Sequence, residues 1–115
     1  MSVTIYHNSR CSKSRQTFAL LEEKGVEFDI VEYLKTPPDA TTIKNLLSML
    51  GFSPRELMRK GEAAYKENNL VDDSLSDNQL INAMVENPIL IERPIVVSNG
   101  KAAIGRPPES VLEIL

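Results

Sequence analysis

The sequence predicts an α/β domain with a mixed sheet, laid out as βαβ, a helical insertion and then ββα. Three observations carry this. Short alternating or apolar runs stand near both ends of the chain, at 3–6 and 95–98; the middle third has apolar residues at helical spacing; and Asn99-Gly100 sits between two apolar runs.

Val3 to Tyr6 alternates with short polar neighbours and reads as the first strand. A polar turn containing Cys11 follows, and then a helix whose apolar residues Phe18, Leu20 and Leu21 fall in 17–24, with Gly25 as its stop. Residues 26–34 alternate Val26, Phe28 and Ile30 against Glu27, Asp29, Val31 and Glu32, which suits a second, half-exposed strand. Strand, helix, strand gives a right-handed βαβ unit with parallel strands.

Lys-Thr-Pro-Pro-Asp breaks this pattern before a helix through Ile43, Leu46, Leu47 and Leu50, ended by Gly51. Ser53-Pro54-Arg55-Glu56 marks a helix start with a serine cap, proline at the first helical position and a glutamate three residues on; Ser76 to Gln79 repeats the capping box. The stretch from about 39 to 87 is therefore a helical insertion, closed by Asn87-Pro88. Residues 95–98 and 101–104 pair as a hairpin across Asn99-Gly100, because both turn positions need positive φ. Residues 111–115 read as a short C-terminal helix.

At 115 residues, 42% of them hydrophobic, the chain suits a single domain that buries a core without staples. Its one cysteine cannot pair within the chain, and a free thiol points to a reducing, cytoplasmic location. No apolar run approaches the length that spans a bilayer, and no secretory pattern opens the sequence. The net charge of -3 gives no general attraction to nucleic acid, membrane or anions, so a bound anion must be held by local groups. Clustered His and Cys ligands, a Walker loop and a dinucleotide glycine motif are all missing, so no metal or bound cofactor is expected. A monomer is expected.

Chemistry concentrates at Cys11, in His-Asn-Ser-Arg-Cys-Ser-Lys-Ser-Arg. A thiol at the start of a helix meets unpaired backbone N–H groups and the positive end of the helix dipole, which favour the thiolate. Arg10, Lys13 and Arg15 flank it and His7 stands four residues upstream, so the thiol is expected to ionise below the ordinary value of about 8.5. Free cysteines are more often inert packing. Here no apolar residue separates His7 from Arg15 apart from the cysteine itself, and the turn reads as reactive.

The element order is that of a thioredoxin-like domain with extra helices. In that plan the nucleophilic cysteine sits at the N-terminus of the first helix, and a proline before the hairpin strand lies close to the sulfur. Pro94, in Glu-Arg-Pro-Ile-Val-Val, holds that position. Four stretches then resemble the glutaredoxin-coupled arsenate reductase family over nearly the whole chain: the Cys11 segment, Leu-Met-Arg-Lys with Arg59, the block around Arg93, and Gly-Arg-Pro-Pro-Glu with Arg106.

The resemblance implies that Cys11 is the nucleophile and that Arg59, Arg93 and Arg106 surround a tetrahedral oxyanion. Guanidinium groups suit that task, being permanently charged and forked. His7 and Ser14 are candidates for support, the imidazole adjusting the thiol and the Ser14 hydroxyl bonding the thiolate. The resemblance also implies arsenate as substrate in arsenic detoxification, glutathione as co-substrate and glutaredoxin as partner. The chain departs from the better-known members beside the cysteine, with Ser9-Arg10 and Ser12-Lys13 in place of proline with a small residue and glycine-threonine.

Two other readings share this fold. A redox-related transcription regulator of the polymerase-binding branch typically carries Cys-x-x-Cys, and here the fourth position is Ser14. A glutathione-dependent thiol oxidoreductase without arsenate activity leaves the three arginines without a purpose. A phosphatase-like arsenate reductase needs Cys-x5-Arg, whereas the sixth residue after Cys11 is Thr17.

Overall fold

The computed structural model describes residues 3–115, which form two compact units: the residues up to 36 together with 93–115, and residues 37–92. The first unit holds β1 (Val3–Tyr6), α1 (Ser12–Glu23), β2 (Asp29–Val31), β3 (Ile95–Ser98), β4 (Lys101–Ile104) and a 3-10 segment, Pro108–Ile114. Its four-stranded sheet runs β2-β1-β3-β4; β1 and β2 are parallel, and the other neighbours are antiparallel.

Alternation in β1 sends Val3 and Ile5 to one face, where they pack with Leu21 of α1, Val96 of β3 and Val111 of the 3-10 segment. Phe18, Val26, Phe28 and Ala103 close around this cluster. Asn99 and Gly100 adopt φ of 57° and 74°, as a two-residue hairpin loop requires. The β2 ladder is shorter than the predicted 26–34. Its pairing stops at Asp29 and Val31, because alternation marks which side chains find the core and not which backbone groups find a partner strand.

The buried stripe of α1 also differs from the apolar pattern. Ser14, Thr17 and Leu21 are buried, while Phe18 and Leu20 are only partly so. The desolvation cost of these polar residues is offset because each hydroxyl is bonded: Thr17 Oγ1 donates to the Lys13 carbonyl at 2.9 Å, and Ser14 Oγ accepts from Asn8 N–H at 3.0 Å. At the chain end the predicted helix is a 3-10 segment that starts earlier, at Pro108.

The second unit holds α2 (Ala40–Leu50), α3 (Pro54–Leu57), α4 (Ala63–Glu67), α5 (Asp77–Glu86) and a 3-10 turn, Pro88–Leu90. Asp39 caps α2, and Gly51 ends it in the left-handed conformation at φ 70°. The capping reaches back as the sequence predicts, with Ser53 N–H donating to Glu56 Oε1 at 2.9 Å and Ser76 N–H to Gln79 Oε1 at 2.8 Å. Ile43, Leu46 and Leu47 of α2 and Leu80, Ile81 and Met84 of α5 are buried, and the two helices pack together. Arg55 ties the loop after α4 to α3, donating to Tyr65 Oη, the Leu70 carbonyl and the Asp72 carbonyl. No helix among the described residues is long and apolar enough to cross a membrane.

Candidate active site

Cys11 is the N-cap of α1, with extended backbone at φ -93° and ψ 125°. The turn before it is closed by Cys11 N–H donating to the Asn8 carbonyl at 3.0 Å, and Arg15 N–H takes the Cys11 carbonyl as the first helical bond at 3.0 Å. Two side chains brace the turn: Asn8 Oδ1 accepts from Arg10 N–H, and Arg15 Nη1 donates to the Ser9 carbonyl, both at 3.0 Å.

Burial pushes the Cys11 thiol up, and opposing groups bring it below its ordinary value: the Ser14 N–H first, then hydrogen bonding and charge from the Arg93 guanidinium, then the Lys13 N–H. No first-turn N–H completes a full capping bond to the sulfur, so the helix start acts by proximity and direction. The lowering of the thiol is thus as expected, but its main sources are backbone N–H groups and distant Arg93 rather than Arg10 and Arg15. The reason is geometric, since Arg15 is turned back onto the Ser9 carbonyl while Arg93 reaches the sulfur from the far end of the chain.

Arg106 Nη2 lies 3.6 Å from Cys11 Sγ, and its Nε donates to the Arg93 carbonyl at 2.8 Å. Two guanidinium groups therefore meet one sulfur. The peptide bonds Arg93–Pro94 and Arg106–Pro107 are both cis. Gly105 brings the two segments together, its N–H donating to the Pro94 carbonyl at 2.9 Å. A Cβ on Gly105 would stand 2.3 Å from Thr17 Oγ1 and 2.7 Å from Pro94 Cγ, so only glycine allows this approach.

His7 is buried, stacks in tilted fashion on Phe18 at 5.0 Å between ring centroids, and shares a 2.7 Å hydrogen bond between Nδ1 and Ser14 Oγ. Burial lowers its pKa from 6.5, with Glu32 raising it and Arg15 lowering it further. The Ser14 hydroxyl is thus occupied by His7 and Asn8, and what Ser14 gives the thiolate is its backbone N–H.

A chain with a lowered thiol at a helix start and two arginines on the sulfur has the outline of a known enzyme group. The sequence profile of the ArsC family matches residues 6–114. The chain belongs to the ArsC family. A relative in Escherichia coli K12 called uncharacterized protein YfgD is 65% identical over 114 residues, covering 98% of this chain and 96% of its own. The arsenate reductase of Haemophilus influenzae is 48% identical over 116 residues, covering 100% of each. The solved arsenate reductase from Vibrio cholerae superimposes with a TM-score of 0.97 at 56% identity, covering 100% of this chain and 98% of that one. The fold of this ArsC-family chain is thioredoxin-like.

Among the arginines implied by resemblance to the family, Arg93 and Arg106 are drawn to Cys11. Arg59 belongs to the second unit, where an isolated antiparallel bridge between Met58 and Ile91 fixes its backbone. Its Nε pairs with Glu62 Oε1 at 3.2 Å and its Nη1 with Glu92 Oε1 at 3.1 Å. Sequence reading passed over Gly105, Thr17 and Asn8. The Gly105 signal stood in Gly-Arg-Pro-Pro-Glu, where a glycine directly before a candidate anion-binding arginine invites the question of close backbone approach. Among the described residues no group of three or more His, Cys, Asp or Glu side chains could hold a metal ion.

Proposed function

We propose that this chain reduces arsenate to arsenite in the cytoplasm, through a covalent bond between Cys11 and arsenic, with glutathione and glutaredoxin as the source of electrons. One observation supports this most: the sulfur of a single lowered thiol lies within 3.6 Å of the Arg106 guanidinium and is hydrogen-bonded by Arg93. A nucleophile and fixed positive charge at one point suit attack on a tetrahedral oxyanion. The names of the relatives in Haemophilus influenzae and Vibrio cholerae point the same way.

In this scheme the Cys11 thiolate bonds to arsenic as one arsenate oxygen leaves as water, with Arg93 and Arg106 offsetting the charge on the remaining oxygens. Arsenic is still pentavalent at that stage. A glutathione thiol replaces a second oxygen on arsenic, again releasing water. A glutaredoxin thiol then attacks the glutathione sulfur; the disulfide that forms leaves two electrons on arsenic. Hydrolysis of the remaining sulfur–arsenic bond releases arsenite and frees Cys11. Arg59 enters as a third oxyanion ligand on the resemblance alone, and the scheme uses no resident metal or cofactor.

The external thiols follow from cysteine arithmetic, since one cysteine cannot form an internal disulfide. The test couples arsenate-dependent NADPH oxidation to glutathione, glutaredoxin and glutathione reductase, with arsenite measured directly. Turnover is expected in the native chain and none in Cys11→Ser. Strong arsenite release with thioredoxin and no glutathione, or no release with any donor, overturns the proposal.

A further inference from the structure

Beside the Cys11 turn lies a cleft of about 250 Å³, with Asn8, Ser9 and Arg10 along one wall and Glu32, Leu34 and Lys35 along the other. Arg10 directly precedes Cys11, so the first wall begins about 3.8 Å from the Cα that carries the thiol. That wall is the braced turn described above, held by the Asn8 and Arg15 bonds. On the facing wall Lys35 Nζ stands 3.5 Å from Glu32 Oε1, with side chains 77% and 49% exposed, so each is open to exchange its partner for a ligand's. Leu34 adds an exposed apolar surface between them.

We propose that this cleft binds glutathione and presents its sulfur to Cys11, a proposal that rests on the reading of Cys11 as a thiol-exchanging nucleophile. Glutathione carries two carboxylates and one ammonium at neutral pH; the cleft offers two cations, Arg10 and Lys35, and one carboxylate, Glu32. A tripeptide spans about 10 Å, long enough to bridge two walls while its central cysteine reaches the turn. Other ligands match the lining less well. A small inorganic anion would be repelled by Glu32, and a neutral thiol would have no use for Arg10 or Lys35. Arg93 and Arg106 do not line this cleft, so the peptide and the oxyanion use different cations.

Thiol–disulfide exchange tests this without arsenate. The Cys11 thiolate attacks one sulfur of glutathione disulfide, the sulfur–sulfur bond breaks, a Cys11–glutathione disulfide forms and a glutathione thiolate leaves, with no net change in electrons. The rate constant is compared with that for the neutral bis(2-hydroxyethyl) disulfide at about 0.15 M salt, where the screening length is about 8 Å and remote charge counts for little. The native chain should favour glutathione disulfide, and Lys35→Ala or Arg10→Ala should reduce that preference about tenfold. Glu32→Gln decides between a site and a mere positive rim: loss of the ammonium partner lowers the preference, whereas simple attraction of an anion would raise it. On the native chain, glutathione disulfide with esterified carboxylates should lose the preference as well. A preference unchanged in Lys35→Ala, raised in Glu32→Gln or kept by the ester overturns the cleft, even if arsenate is reduced normally. Failure to react with either disulfide overturns the nucleophile reading and the cleft with it. Selective exchange in a chain that does not reduce arsenate supports the cleft and sinks the proposed activity alone.

Discussion

Gly105→Ala should damage stability and the site together. The added Cβ would stand 2.3 Å from Thr17 Oγ1 where real contacts do not fall below 3.0 Å, so the backbone or Thr17 must move by about 0.7 Å. Thr17 cannot swing away freely, because it is fully buried and its hydroxyl is committed to the Lys13 carbonyl. On the other side the Cβ meets Pro94 Cγ at 2.7 Å, and that ring is also buried. Overpacking of this kind costs about 1–3 kcal/mol, which for a chain of this size is roughly 4–12 °C in Tm. The same shift carries Arg106, the next residue, away from a sulfur it already contacts at only 3.6 Å. Full loss of one oxyanion donor costs about 100- to 1000-fold in turnover, so at least a tenfold fall in kcat/KM for arsenate is expected. Urea unfolding and the coupled arsenate assay read the two effects. Thr17→Ala in the same chain removes the closest clash, and the double variant should recover about 0.5 kcal/mol or more beyond additivity. A Gly105→Ala chain within 0.5 kcal/mol of native stability and with native turnover would refute the close-approach account.

The remaining expectations follow from the same geometry. Thiolate absorbance against pH should place the Cys11 midpoint below the ordinary thiol value, and Arg93→Ala should raise it more than Arg10→Ala or Arg15→Ala does; a larger effect from Arg10 would return the credit to the neighbouring cations. Arg93→Ala and Arg106→Ala should each leave Cys11 reactive toward a neutral alkylating agent while costing about 2–4 kcal/mol in kcat/KM for arsenate, and normal turnover would exclude this oxyanion site. His7 has a folded pKa below 6.5, so between those two values the unfolded chain binds more protons; stability is complete above pH 6.5 and falls as pH drops toward the folded value. Urea midpoints across that window should show the decline, and His7→Gln should flatten it. Arg55→Met should cost about 2 kcal/mol or more, because Tyr65 Oη and the Leu70 and Asp72 carbonyls lose a shared charged donor; a neutral result would mean water replaces it.

What could be read in the sequence is what local chemistry controls. The spans of β1, β3 and β4 and the Asn99-Gly100 turn coincide with the predicted residues because alternation and positive φ are properties of neighbours along the chain. The capping boxes at Ser53 and Ser76 were legible for the same reason. What was not legible depends on distant partners. β2 is short because only β1 pairs with it, and nothing within 26–34 encodes where that ladder stops. The stretch 68–75 leaves the helical pattern, with Asn69 at φ 53°, although the surrounding segments are helical. The buried stripe of α1 is hidden from any hydrophobic pattern because Ser14 and Thr17 are polar and become core residues only through bonds to Asn8 and Lys13. Cys11 could be singled out by its turn. That Arg93 and Arg106 reach it followed only from resemblance, since 82 and 95 residues separate them from it along the chain.

A chain with net charge -3 is an unpromising host for two anionic reactants, and this is where local arrangement matters most. At physiological salt a charge is felt over about 8 Å, so an oxyanion at the sulfur responds to Arg93, Arg106 and the first turn of α1, and not to the acidic surface elsewhere. Permanent guanidinium charge keeps that field constant across the pH range in which the thiol titrates, so the pH dependence of attack should follow Cys11 rather than its anion-binding groups. The same short range lets a second anion be handled a few ångströms away by other cations. Arg10 and Lys35 line the cleft beside the Cys11 turn, and Arg10 directly precedes the nucleophile. A substitution beside the nucleophile can thus change which thiol the site accepts without touching the groups that hold the oxyanion.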